Sequence, residues 1–202
     1  MKHLKMLGLA AVAAAALMAF TGANSASATV LTSPAGTMLA AGTEIHAVSE
    51  EKPVLTTTFK TVECNKSTVA GRVANAGGAT ETVRGLVETL TFEECNCTVK
   101  VIHKGALEIH KIGTGSNGTV VSDGATVTVN CSTIFGTVHC DYETLNTDLG
   151  TLTGSTTTGG TATMDITAVI PIEPGESDEI CPEESTWHAK YKVTTPDFLD
   201  VS

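Results

Sequence analysis

Basic residues are few in this chain. Twelve Lys and Arg stand against 22 Asp and Glu, a formal net charge of -10, and an acidic chain repels phosphate backbones, whose binding depends on Lys and Arg contacts. Nucleic acid is therefore excluded as an expected partner. Aromatics are scarce too, at 4% with a single tryptophan, and beyond Gly42 no stretch carries the apolar stripe of a helix. There is no C-x-x-C redox motif, no paired finger-like cysteine spacing for zinc, no G-x-S-x-G nucleophile elbow and no D-x-[DN]-x-[DN]-G calcium loop. These absences leave no expected catalytic residue, cofactor or metal site.

What is present begins with MKHLK, an apolar run from Met6 to Phe20 and the small-x-small triplet Ala26-Ser27-Ala28. Together these are the three parts of a secretory signal, so cleavage is expected after Ala28. The apolar run is shorter than the roughly 20 residues of a bilayer-spanning helix. No cysteine precedes Cys64 and the tail TTPDFLDVS is neither apolar nor basic, so no membrane anchor is expected. All six cysteines follow the leader, as fits an exported bacterial protein in an oxidising compartment. The expected organisation is a signal peptide over 1–28, an extended N-terminal arm over 29–42 and a single β domain over 43–202.

Thr- and Val-rich segments between glycine-containing turn signals predict strands of about five or six residues. Asp123-Gly124 within VVSDGATVTV predicts a tight hairpin, and VKVIH-KG-ALEIH a second one across Lys104-Gly105. Alternation places Cys97, Val99 and Val101 on one face; Val127, Val129 and Cys131 on another; and Val138, Cys140 and Tyr142 on a third. The cysteines thus share the apolar faces. With no helix to cover a dry sheet face, the expected fold is an antiparallel β-sandwich stapled by disulfides, with a closed β-barrel or a short β-solenoid as alternatives.

Cys95 and Cys97 lie two apart on a strand, roughly 6.6 Å between Cα atoms with parallel side chains, so each must bond elsewhere. If Phe135-Gly136 is a two-residue turn, Cys131 faces Cys140 at a Cα spacing near 4.5 Å, which suits a disulfide. That pairing leaves Cys64 and Cys181 for Cys95 and Cys97 in either order. A longer turn would instead free Cys140 for Cys181.

Other patterns have plain readings. Gly113-Thr-Gly115-Ser-Asn-Gly118 matches G-x-G-x-x-G, but a strand pattern rather than a helix follows it, so it reads as a turn. The acidic segment PIEPGESDEICPEE, residues 171–184, reads as a solvated loop tied down by Cys181. Histidines 46, 103, 110, 139 and 188 sit in no local pattern with an acid and a nucleophilic serine. Trp187 alternates with Ala189, Tyr191 and Val193 as the inner face of a strand.

The stretches TVECNKSTVAGRVANAGG, LTFEECNCTV, HCDYET with DLGTLTG, and CPEESTWHAKYKVTTP resemble a group of small exported actinobacterial β proteins. That resemblance implies no activity, catalytic residue or cofactor. The leader, early β segment and spaced cysteines are similar to secreted activators of alkane oxidation, and the acidic Thr/Gly/Val-rich composition resembles carriers of enediyne antibiotics. The function expected is non-enzymatic binding or coating at the cell exterior, toward a cell-surface or small apolar ligand. The rival expectations are a carrier of a small apolar molecule and a hydrolase with a dispersed site.

Overall fold

The computed structural model describes residues 28–33, 36–79, 81–134, 136–157, 159–175 and 177–202, so the expected signal up to position 27 and Glu176 of the acidic loop lie outside the described residues. Every element among the described residues is a strand. In chain order these are β1 (Thr29–Thr32), β2 (Glu44–Ser49), β3 (Val54–Thr56), β4 (Thr61–Glu63), β5 (Lys66–Val73), β6 (Gly77–Gly78) and β7 (Val83–Glu93). They are followed by β8 (Thr98–Ile112), β9 (Asn117–Thr133), β10 (Gly136–Glu143), β11 (Thr147–Thr153), β12 (Thr163–Pro171), β13 (Glu184–Thr195) and β14 (Asp200–Val201).

Antiparallel pairing runs β2-β5-β7-β8-β9-β11-β12-β13, and β13 returns to β2, so eight strands close into a barrel. Three short strands lengthen the wall. β3 continues β2 alongside β13, β4 precedes β5 alongside β3, and β10 precedes β11 alongside β9. The closed barrel thus takes the place of the expected two-sheet sandwich. Alternation marks one dry face per strand, and a sheet coiled onto itself buries that face as well as a second sheet does.

Both expected hairpins are overturned, because β8 and β9 run straight through Lys104-Gly105 and Asp123-Gly124. Gly105 and Gly124 have φ of 65° and 71°, the left-handed conformation that glycine supplies to bulges as readily as to turns. They face each other across the β8–β9 pair: a Cβ on Gly105 would lie 2.4 Å from the Asp123 carbonyl oxygen and 2.8 Å from the Gly124 carbonyl carbon. The two strands bend there together and reverse only at 113–116, where the glycine-rich motif forms the expected turn. The strands accordingly reach 15 and 17 residues, far beyond the expected length.

A further bulge holds β7 in phase. Ala70 pairs with Thr89 but Gly71 with Val87, which inserts Glu88 into the ladder. Val83, Gly85 and Val87 before it and Leu90 and Phe92 after it therefore all line the interior, although their spacing breaks strict alternation. Outside, charged residues pair across neighbouring strands: Arg72 with Glu44 and Glu88, Lys66 with Glu93, Arg84 with Glu108 and Lys190 with Asp165. An apolar interior under a charged exterior is the reverse of a membrane-spanning barrel.

The two ends of the barrel differ. At one end β1 pairs with β14 and β6, Val30 and Ser202 exchange backbone hydrogen bonds, and Leu31, Leu199 and Val201 are buried as a floor. Within the segment 29–42, expected as an extended arm, Thr29, Leu31, Thr32 and Leu39 are buried against this end, while 36–38 and 40–42 are exposed. At the other end lie all six cysteines, paired Cys64–Cys95, Cys97–Cys131 and Cys140–Cys181. Cys95 and Cys97 do take different partners, and Cys64 takes Cys95. The Cys131–Cys140 pairing is overturned by one residue of register: Thr133 pairs with Gly136 and Cys131 with Val138, while Phe135 lies outside the described residues. Cys131 instead meets Cys97 across the β8–β9 pair at a Cα separation of 4.7 Å. Cys140 is left for Cys181, which pins the acidic loop along β10. There Asp178 accepts from the His139 N–H and Glu173 donates to the Asp141 carbonyl.

Candidate functional site

Inward side chains do not fill the barrel. A cavity of about 120 Å³ lies toward the disulfide end, lined by Leu55, Val62, Phe92, Val129, Ile166 and Trp187 among others. A second of about 100 Å³ rests on the floor formed by Leu31 and Leu199. Val69, Val87, Leu107 and Met164 line both and form a waist between them. The shortage of aromatics has its consequence here: an eight-stranded barrel is just wide enough to be filled by side chains or to hold one small ligand, and Val, Leu and Ala leave space where larger rings would close it.

The hydroxyl groups of the upper chamber are satisfied within the wall. Ser122 Oγ and Thr144 Oγ1 lie 3.0 Å apart, and the Tyr191 hydroxyl donates to Ser67 Oγ at 2.8 Å. Ser185 donates to the Tyr142 hydroxyl at 3.0 Å. Burial pushes the Tyr191 hydroxyl up to about 12 and raises that of Tyr142, against the opposing effect of their serine hydrogen bonds. The rings are left to present apolar surface, joined by Trp187, whose ring meets Phe92 edge-on at 5.1 Å and 72°. An apolar chamber of this kind offers water too few partners to hold it.

The wall is incomplete along one seam. Pairing between β7 and β8 stops at Leu86–Ala106. From Val87 and Gly105 onward the strands part until residues 94–97 join them. That joint is anchored by Cys64–Cys95 and Cys97–Cys131 and by Asn96, which accepts from the Glu63 N–H and donates to the Thr61 carbonyl. Leu90, Phe92, Val99 and Val101 along this seam are half-buried, whereas Met164, Ile166, Ile170 and Tyr191 on other walls are buried. Lys104 sits on the seam. It pairs in register with Ala125, another lining residue, and so shares the inner face.

The histidines lie elsewhere. The ring nitrogens of His139 lie 2.8 Å from Asn130 Oδ1 and 3.0 Å from Asp141 Oδ2, and the Thr128 hydroxyl donates to the other Asp141 oxygen. The ring's partners are therefore an amide and a carboxylate rather than a nucleophile. His188 meets the Thr167 hydroxyl at 3.3 Å on an exposed face, while His46 and His110 lie near Glu44 and Glu108. Among the described residues no group of three or more His, Cys, Asp and Glu is placed to hold a metal ion. Sequence reasoning read Lys104 as a turn residue and missed the seam. The signal that could have found them is the glycine that follows Lys104, read as a bulge.

The fold and its hollow define a disulfide-locked, closed eight-stranded antiparallel barrel. Comparison with protein-family models, curated proteins and solved structures found no match to the chain.

Proposed function

We propose that this protein is an exported, non-enzymatic carrier that holds one small apolar molecule inside its barrel. The observation that carries the reading is the pair of adjoining apolar chambers inside the barrel. Ligand sites are concave, mostly apolar and largely pre-formed. An apolar cavity of about 150 Å³ takes a benzene-sized guest, so the two chambers end to end suit an apolar molecule of roughly eight to ten carbons. Export into an oxidising compartment, with removal of residues 1–28, belongs to the same proposal and is supported by the leader pattern and the three disulfides. Of the roles left open by the sequence, coating the cell exterior makes no use of the hollow, whereas carriage does.

Trp187 lines the upper chamber and is the only tryptophan, so the chain contains its own reporter. Titrating the oxidised protein with 1-nonanol is expected to give a saturable change in Trp187 emission and a rise in melting temperature. The absence of a saturable response to alcohols and alkanes of six to ten carbons, up to their solubility limits, would overturn the proposal.

A further inference from the structure

We infer that the molecule carried is an amphiphilic acid, a straight-chain carboxylate whose tail occupies the chambers and whose head meets Lys104 at the β7–β8 seam. This inference rests on the carrier reading. Among the described residues Lys104 is the one charged residue that lines the upper chamber, and its register opposite Ala125 turns it to the inner face at the point where the wall is unpaired. Its side chain is exposed, and its ammonium has neither an ion pair nor a hydrogen bond among the described residues. Arg72, the charged residue at the lower chamber, is already held on the outer face by Glu44 and Glu88.

Lys52, Lys100, Lys111 and Lys192 also lack an acidic partner among the described residues, but Lys104 alone of these lines a chamber. Twenty-two acidic residues are available to the fold, yet none meets the ammonium at the mouth of an apolar hollow. A charge so placed complements an anionic group brought by a guest, while the apolar wall beyond complements the guest's tail. Among anionic heads, the overall negative field is less adverse to a single carboxylate than to a doubly charged phosphate. The seam also removes a difficulty, because the head stays hydrated in the opening while only the tail leaves water, and a buried carboxylate would carry a large desolvation penalty.

The test compares nonanoate, 1-nonanol and nonylammonium at pH 8 against the oxidised wild type, Lys104→Met, Lys104→Arg and Lys104→Glu, followed by Trp187 emission and melting temperature. Wild type and Lys104→Arg are expected to bind nonanoate most tightly. Lys104→Met is expected to weaken nonanoate about tenfold while leaving 1-nonanol unchanged, and Lys104→Glu to invert the preference toward nonylammonium. Added salt should narrow the wild-type preference. If 1-nonanol binds but Lys104→Met leaves the ratio of nonanoate to nonanol affinity unaltered, this inference falls and the carrier reading stands. If no guest binds the wild type, both fall together.

Discussion

Tyr191 shows how one side chain couples the barrel to pH. Its hydroxyl is buried, donates to Ser67 and is pushed up to about 12, whereas in the unfolded chain it titrates near 10. Between those values the unfolded state releases a proton that the folded state keeps, so the stabilisation present below pH 10 is lost as pH rises toward 12. The urea midpoint is expected to fall over that window by the equivalent of roughly 1 to 3 kcal/mol. Tyr191→Phe should flatten the fall and leave a smaller slope from Tyr142, whose hydroxyl is raised in the same sense. An equal slope in wild type and variant would contradict this account. The inward direction of Tyr191 was legible from its alternation with Trp187, Ala189 and Val193. Its serine partner was not, because Ser67 lies 124 residues away and meets it only through closure of the ring.

Among elements, the paired glycine kinks of β8 and β9 carry a graded expectation. At Gly105 a methyl group would strike the Asp123 carbonyl oxygen at 2.4 Å, while at Gly124 it meets nothing within 4 Å; both positions have positive φ. Gly124→Ala should therefore cost about 1 to 2 kcal/mol from backbone conformation alone, and Gly105→Ala distinctly more, as read by denaturant midpoints. Equal losses would show that the close approach is relieved without effect. Glycine in a strand pattern marks either a reversal or a bulge, and composition around Asp123-Gly124 does not separate the two. What separates them is whether the neighbouring strand bends at the same level, which is a property of the pair. The cysteine register failed for a similarly local reason. A two-residue turn was expected at 135–136, but Gly136 is already paired, with Thr133, and that single step moves Cys140 from facing Cys131 to facing Val129.

For the whole molecule, on the proposed carrier function, the waist formed by Val69, Val87, Leu107 and Met164 would set the length of guest that fits. Leu107→Phe narrows the passage between the chambers, so affinity for a nine- or ten-carbon guest is expected to fall several-fold while a six-carbon guest held in the upper chamber is little changed. Isothermal titration with hexanol and nonanol checks this, and a parallel loss of both would point to a damaged fold instead. The all-β class, the inner faces and the pinned acidic loop were legible in the sequence because each rests on local alternation or composition. Closure and the hollow were not, because they depend on how many strands coil together and on volumes that no single strand reports.

The β7–β8 seam is a slot in a tube, clamped at one end by strand pairing and at the other by two disulfides. A slot held at both ends widens by bowing at its middle, and stiff clamps keep that widening small. For the guest proposed above, such an aperture would sort by cross-section: a slender, unbranched molecule would slide through lengthwise, while a branched or ring-fused one of equal carbon number would be turned away. Reduction of the disulfides would release one clamp, and the aperture would lose its gauge before the barrel lost its shape.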